Sequence, residues 1–513
     1  ELPSFNEFLD DLNFIIDTSI DKTGVMLSMR RLEYLKEKFE SYILLNEHQE
    51  TLKTKLNPHR DFYNCRKIDN NIGLSMCMTK KHLLNVINLK LREEPDRIVY
   101  DDKRGNRFTL EQLFQPYFDS NNSRRLNVDD LFEFGLIDRN FGSVDDSSGL
   151  NIDNDTDYEA IIKNEILSRI EHTFLRIENS IGGEYLSTIL KQVLSDYEKS
   201  KYQFGEIGIN FNLLDTYREG QGKWESLADW IIDNRLVSYN VKWIIRIPRN
   251  YSILKEQGQV SSFQDFLNQI FKPLFEVSIN PLKNPKLHYF LTKISGFDLL
   301  SVDKRHRDES LFDIPKLQSP RKWTSDENPP YSYYLYYIFK NFSKLNNFRK
   351  SRSMCTFNLR PHVASLSDRS GLGIITESLS SCFLLSKNII NGEKLANYPV
   401  LQYLYYLKQI GITMSPLCWN KTLQLSNDDD NHIESNTFAY EKNPAIEFFQ
   451  IGMRVSLSTN KPLFSSLTRE PLIEEYSVAG SMHKLSGVDL CELCRNSVLI
   501  SEFNGDLKRH WIG

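Results

Sequence analysis

The chain has 513 residues, with 63 Lys+Arg against 68 Asp+Glu and a formal net charge of −5. Hydrophobic residues make up 40% and aromatics 12%. That excludes wholesale disorder and leaves ample chain for a real core. The mildly acidic balance (pI about 6.1) argues against nucleic-acid binding and against an anionic membrane surface, both of which favour basic faces. No apolar run approaches the ~20 residues of a membrane span.

The predicted elements begin with helix. In residues 26–45, Met29, Leu32, Phe39 and Ile43 recur at helical spacing with charges between them, so residues 1–60 read as a helical extension. Short β-like runs then alternate with longer helical stretches. The clearest runs are residues 207–214, 241–247, 356–359, 411–417 and 454–459; amphipathic stretches include 161–177, 185–199 and 399–409. Strands alternating with helices over ~400 residues imply an α/β architecture with a parallel sheet. Residues 143–158 and 426–436 are rich in Asp, Asn and Ser and read as acidic loop insertions in a second unit, 61–513.

Seven cysteines, an odd and scattered number, fit a reduced compartment, and Glu1-Leu-Pro-Ser-Phe-Asn6 has no leader pattern. The expectation is a cytoplasmic location. Cys491 and Cys494 share a helix face and read as buried core. The Tyr clusters at 331–337 and 398–406 read as packing surfaces. The basic clusters at 304–307 and 349–352 read as solvated surface.

In a parallel barrel, functional groups gather where strands end. The strand ends read from the sequence are Ile68-Asp-Asn-Asn-Ile-Gly73, Asn358-Leu-Arg-Pro-His-Val-Ala-Ser365, Met414-Ser-Pro-Leu-Cys-Trp-Asn420 and Ser456-Leu-Ser-Thr-Asn-Lys-Pro462. They are polar but poor in metal ligands. None of the ten histidines lies in His-x-His or His-x-x-x-His spacing, and no Walker, zincin or nucleophile-elbow motif is present. The residues alone give an α/β barrel without a complete catalytic set.

At these strand ends the sequence resembles the AMP deaminases. The blocks that carry the resemblance include Pro58-His-Arg-Asp-Phe-Tyr-Asn64, Lys80-Lys-His-Leu-Leu84, Pro399-Val-Leu-Gln-Tyr-Leu-Tyr-Tyr-Leu407, Val455-Ser-Leu-Ser-Thr459 and Glu470-Pro-Leu-Ile-Glu-Glu-Tyr-Ser477. The resemblance covers nearly the whole chain. It implies a (β/α)8 TIM-type barrel of the metallo-dependent hydrolase kind. Active members bind one zinc, convert AMP to IMP plus ammonia, and usually form tetramers. Zinc lowers the pKa of bound water towards neutrality, which supplies the hydroxide that attacks the purine ring.

Carried over position by position, the family's first-strand His-x-His falls on Asn71 and Gly73. Its Arg-Pro-His-x-Gly-Glu falls on Arg360 to Ser365, which retains the ligand His362 but places Ser365 at the proton-shuttling glutamate. The orienting histidine falls on Asn391. The two aspartates of Ser-Thr-Asp-Asp fall on Asn460, a ligand position, and Lys461. A remnant nucleotide pocket would draw on Arg66, Lys67, Trp419 and Asn420.

On this reading the expectation is an inactive deaminase-like chain that binds no zinc. It would serve as a regulatory or interaction partner in purine nucleotide metabolism. It would form a homo-oligomer, or a hetero-oligomer with an active AMP deaminase, and take no nucleic acid or membrane partner. Alternatives are a metal-free purine-nucleotide sensor, a residual AMP deaminase, and a hydrolase rewired around His362, Ser365 and Lys461.

Overall fold

The structure is a computed structural model. It describes residues 2–57, 61–101, 105–115, 169–213, 222–300, 310–314, 317–363, 371–418, 440 and 443–512. Two helices open the chain, α1 (Phe5–Ile20) and α2 (Lys22–Leu56). Ser4 caps α1 in a reciprocal box with Glu7, which satisfies two backbone donors at once. Phe8, Leu12 and Ile15 of α1 belong to the main core. Phe8 lies 5.1 Å from Tyr336, and Phe5 stacks on Tyr337.

The strands follow. β1 is Lys67–Gly73, and β2 (Ile98–Asp101) with β3 (Arg107–Thr109) forms a side hairpin. β4 is Gln203–Asn210, β5 Val241–Ile247, β6 Ile294–Leu299 and β7 Asn358–Leu359. β8 (His362–Val363), β9 (Asn388–Asn391), β10 (Gly411–Met414) and β11 (Val455–Leu457) complete the set. β1-β4-β5-β6-β7 and β8-β9-β10-β11 are two parallel runs.

β7 and β8 are one passage of chain. Leu359 pairs with β6, and His362 pairs with β9. Pro361 between them has no N–H to give a ladder, and its carbonyl instead accepts from Ile390 N at 2.9 Å. Between β11 and β1 the ring closes through a parallel bridge from Ile72 to Asn460. Gly73 N donates to Asn460 O at 2.8 Å. Counted this way the ring has eight parallel staves, with helices outside: a (β/α)8 barrel, as the sequence implied.

The Asp69 carboxylate reinforces the closure. It accepts from Ser458 Oγ (2.6 Å), Thr459 N (3.1 Å) and Thr459 Oγ1 (2.5 Å), all just beyond β11. Burial pushes this carboxyl up to about 6, although those three donors pull the other way.

Several expectations are adjusted. The run expected at 207–214 is β4, shifted to Gln203–Asn210. Glu206 hid its start, because this carboxylate points into the barrel, where Arg360 Nη1 meets it at 2.8 Å. The 349–352 cluster is not all solvated surface: Arg349 is buried, donating to Cys355 O and Ser278 Oγ. Cys494 is buried as expected. Cys491 is half-buried, with its sulfur 3.4 Å from that of Cys65. The Tyr331–Ser351 helix buries Tyr331, Tyr333, Tyr334 and Tyr336, in keeping with a packing role. The acidic segments 143–158 and 426–436 and the basic cluster 304–307 lie outside the described residues. Among the described residues no helix is long and apolar enough to cross a membrane.

Candidate functional site at the carboxyl mouth of the barrel

Four side chains from four staves meet where the strands end. Asn71 (β1) is fully buried, and its Oδ1 accepts from Arg246 Nη2 (β5) at 2.5 Å. Arg246 Nε lies 3.5 Å from Asp298 Oδ2 (β6). The same carboxylate oxygen is 2.6 Å from His362 Nδ1 (β8), while Asp298 Oδ1 accepts from the His362 backbone N at 3.1 Å. Asp298 thus lies beside the imidazole and accepts from the His362 backbone, while Oδ2 and Nδ1 face each other without hydrogen-bond geometry.

Glycine makes room for the guanidinium. A Cβ on Gly208 of β4 would overlap the Arg246 side chain, and one on Gly73 would sit 3.5 Å from Arg246 Nη1. Burial and the Arg360 charge hold the Arg246 guanidinium below its ordinary range, with Asp298 acting against them. Lys461 is a second cation close by. Burial, together with Arg246, pulls its ammonium below the ordinary lysine range.

Asn391 and Asn460 both have left-handed backbones, with φ of 70° and 55°. Asparagine tolerates that conformation better than most residues. Asn391 ends β9 and Asn460 follows β11, so both reach the mouth. Ser365, Trp419 and Asn420 lie outside the described residues. Arg66 and Lys67 do not reach the mouth. Lys67 begins β1 at the opposite end of the barrel, where its buried Nζ donates to the carbonyls of Phe62, Tyr63 and Cys65. The sequence reading missed Arg246 and Asp298. Its available signal was a charge one residue before the carboxyl end of each of two mainly apolar strands, Val-Lys-Trp-Ile-Ile-Arg-Ile and Ile-Ser-Gly-Phe-Asp-Leu.

The AMP deaminase family model matches residues 1–513. The chain is 42% identical over its whole length to an AMP deaminase of Saccharomyces cerevisiae and 40% to that of Schizosaccharomyces pombe. AMP deaminase 3 of Rattus norvegicus is 39% identical, again over the whole chain. The chain spans 58%, 56% and 61% of the lengths of these three relatives. Among solved structures, it is similar to an amidohydrolase from Burkhoderia ambifaria with bound Zn (TM-score 0.47, 10% identity, covering 88% of this chain and 89% of that one). It is also similar to Arabidopsis ADAL complexed with IMP (TM-score 0.45, 12% identity, covering 88% and 96%).

These relatives correct two expectations. The chain was expected not to be an enzyme, yet relatives near 40% identical across this chain are named as one. It was expected to have no cofactor, yet the family it matches points to zinc. The residues described at the mouth do not themselves fit that metal. Of the ligand positions, Asn71, Gly73 and Asn460 offer at most neutral amides, and only His362 is an imidazole. Among the described residues, no three His, Cys, Asp or Glu side chains gather as a metal site. A match running the full length of the chain, together with the barrel and strand-end geometry, places this chain in the AMP deaminase family.

Proposed function

We propose that the chain is a purine-nucleotide deaminase of low turnover, converting AMP to IMP plus ammonia at the carboxyl mouth of the barrel. The observation that carries this reading is the whole-length similarity to relatives named AMP deaminase. His362 is the proton-handling group. The imidazole, placed beside Asp298, accepts a proton from the attacking water and returns one to the departing amine. Arg246 and Lys461 bring two basic groups to the mouth, which suits an anionic nucleotide. A single imidazole does the work that the family spreads over several groups, and each missing group costs orders of magnitude in rate.

The test is IMP formation and ammonia release from AMP over hours, with and without added Zn2+. The wild-type chain should exceed a heat-inactivated blank, and His362→Ala should reduce the rate by roughly 10²–10⁴. AMP left intact by the wild type, or an unchanged rate in the variant, would sink the reading.

We further propose that the chain pairs with a second copy of itself through α2. This helix buries only Ser28 and exposes Leu44 (81%), Leu45 (78%) and Leu56 (79%). Apolar exposure of that kind on one helix marks an association face. Native mass should be a multiple of 60.1 kDa, and the double change Leu44→Glu with Leu45→Glu should reduce it to one chain. A monomeric wild type removes this proposal. A cytoplasmic site of action is part of the same reading, supported by seven cysteines that form no disulfide.

A further inference from the structure

A second polar concavity lies at the opposite end of the barrel. It has a volume of about 330 Å³ and sits where β7, β9, β10 and β11 begin. Four cations line it, Lys387, Lys408, Arg454 and Lys508, against one carboxylate, Glu502. That excess stands out in a chain whose net charge is −5.

The cations are not equally committed. Lys508 Nζ donates to the carbonyls of Ser501 (2.6 Å) and Leu499 (3.0 Å), and Lys408 Nζ to that of Phe383. Arg454 is half-buried, and its guanidinium makes no hydrogen bond or ion pair with the described residues; Lys387 is exposed and similarly free. Burial and the neighbouring Arg495 hold the Arg454 guanidinium below its ordinary range, as expected for a cation lacking a counter-ion. Glu502 is tied to partners of its own. Burial pushes it up to about 7, and both its oxygens are engaged by the side-chain amides of Asn358 and Asn388.

We propose that this concavity is a binding site for a compact multivalent phosphate anion, with Arg454 as its anchor and Lys387 as a second donor. Several convergent cations around a solvent-filled hollow focus the field on one point, and a planar guanidinium matches two phosphate oxygens at once. The lining offers only Ile410 and Leu499 as apolar surface, with no aromatic platform, so it recognises the phosphates and not a purine ring. The site lies away from the mouth and is independent of the deaminase reading.

The full chain is titrated with inorganic pyrophosphate while its melting temperature is followed, sodium chloride keeping ionic strength constant and no divalent metal present. A saturable rise is expected, since a ligand that binds only the folded state stabilises it by mass action. Arg454→Gln should weaken the apparent affinity at least tenfold. Lys387→Gln, an exposed position with little bearing on folding, should weaken it several-fold. His362→Ala, at the mouth, should keep the whole response, which separates this site from the one proposed for AMP. ATP in place of pyrophosphate should give a response of similar size if phosphates alone are read. An undiminished rise in both Arg454→Gln and Lys387→Gln, or no rise beyond that of sodium chloride alone, would overturn the proposal.

Discussion

Gly208 shows how one missing side chain can hold a site open. The Arg246 guanidinium lies across its Cα, so a methyl there would have to displace a buried cation engaged with Asn71 and Asp298. Gly208→Ala is expected to cost about 2–3 kcal/mol by overpacking, read by chemical denaturation. A cost near zero would mean that the guanidinium can move aside. Glu393 raises a different issue. Its Oε2 is buried without a partner, and burial lifts its carboxyl to about 7 from an ordinary value near 4.5. Because the folded state holds the proton more tightly, this residue's contribution is complete below about 4.5 and is lost as pH rises through 7. Glu393→Gln should therefore change little at pH 5 and stabilise by about 1–3 kcal/mol at pH 8. An equal effect at both pH values would refute that account.

At the scale of elements, α1 is part of the barrel's core. Phe8 is buried against Tyr336, and the Tyr336 hydroxyl donates to Pro3 O at 2.9 Å. Phe8→Ala should lower global stability by about 3–4 kcal/mol with a single transition. A separate early transition would show α1 detaching by itself. Helices were the more legible elements in the sequence, since 3.6-residue periodicity persists over several turns in Glu184–Lys199. Strands were less so. β9 has only four residues, Asn388–Asn391, and β6 carries Ser295 and Asp298 among its apolar residues, so neither gives a clean apolar run. Barrel-facing polar groups such as Glu206, Asp298 and Arg360 disguise strands because they are satisfied by partners on other staves. A sequence shows no such partner. For the same reason His362, Asn71 and Asn460 could be placed by motif, whereas the Arg246–Asp298 link that joins two of them appeared only in three dimensions.

The whole molecule is polarised between two ends of one barrel. The carboxyl mouth holds Arg246, Lys461 and the Asp298–His362 pair. The opposite end holds the Arg454 concavity. Between them runs a buried polar layer in which Glu206 takes Arg360 Nη1 at 2.8 Å and the Glu502 backbone N at 2.8 Å. Asn70 joins it, donating to Glu206 and accepting from Arg360 through its carbonyl. The links among Glu206, Arg360 and Asn70 each join different staves, so the layer helps fix their register as well as their packing.

The junction of first and last staves also governs timing. Asp69 and Ser458 are 389 residues apart, and the ring is incomplete until both are present. At roughly 5–20 residues per second, a ribosome needs roughly 20–80 s to make the intervening chain. Throughout that interval β1 has an unpaired edge of the kind that recruits other chains. The nascent chain is thus most exposed to aggregation just before β11 emerges, and its yield in a cell depends on what shields that edge until the ring can shut.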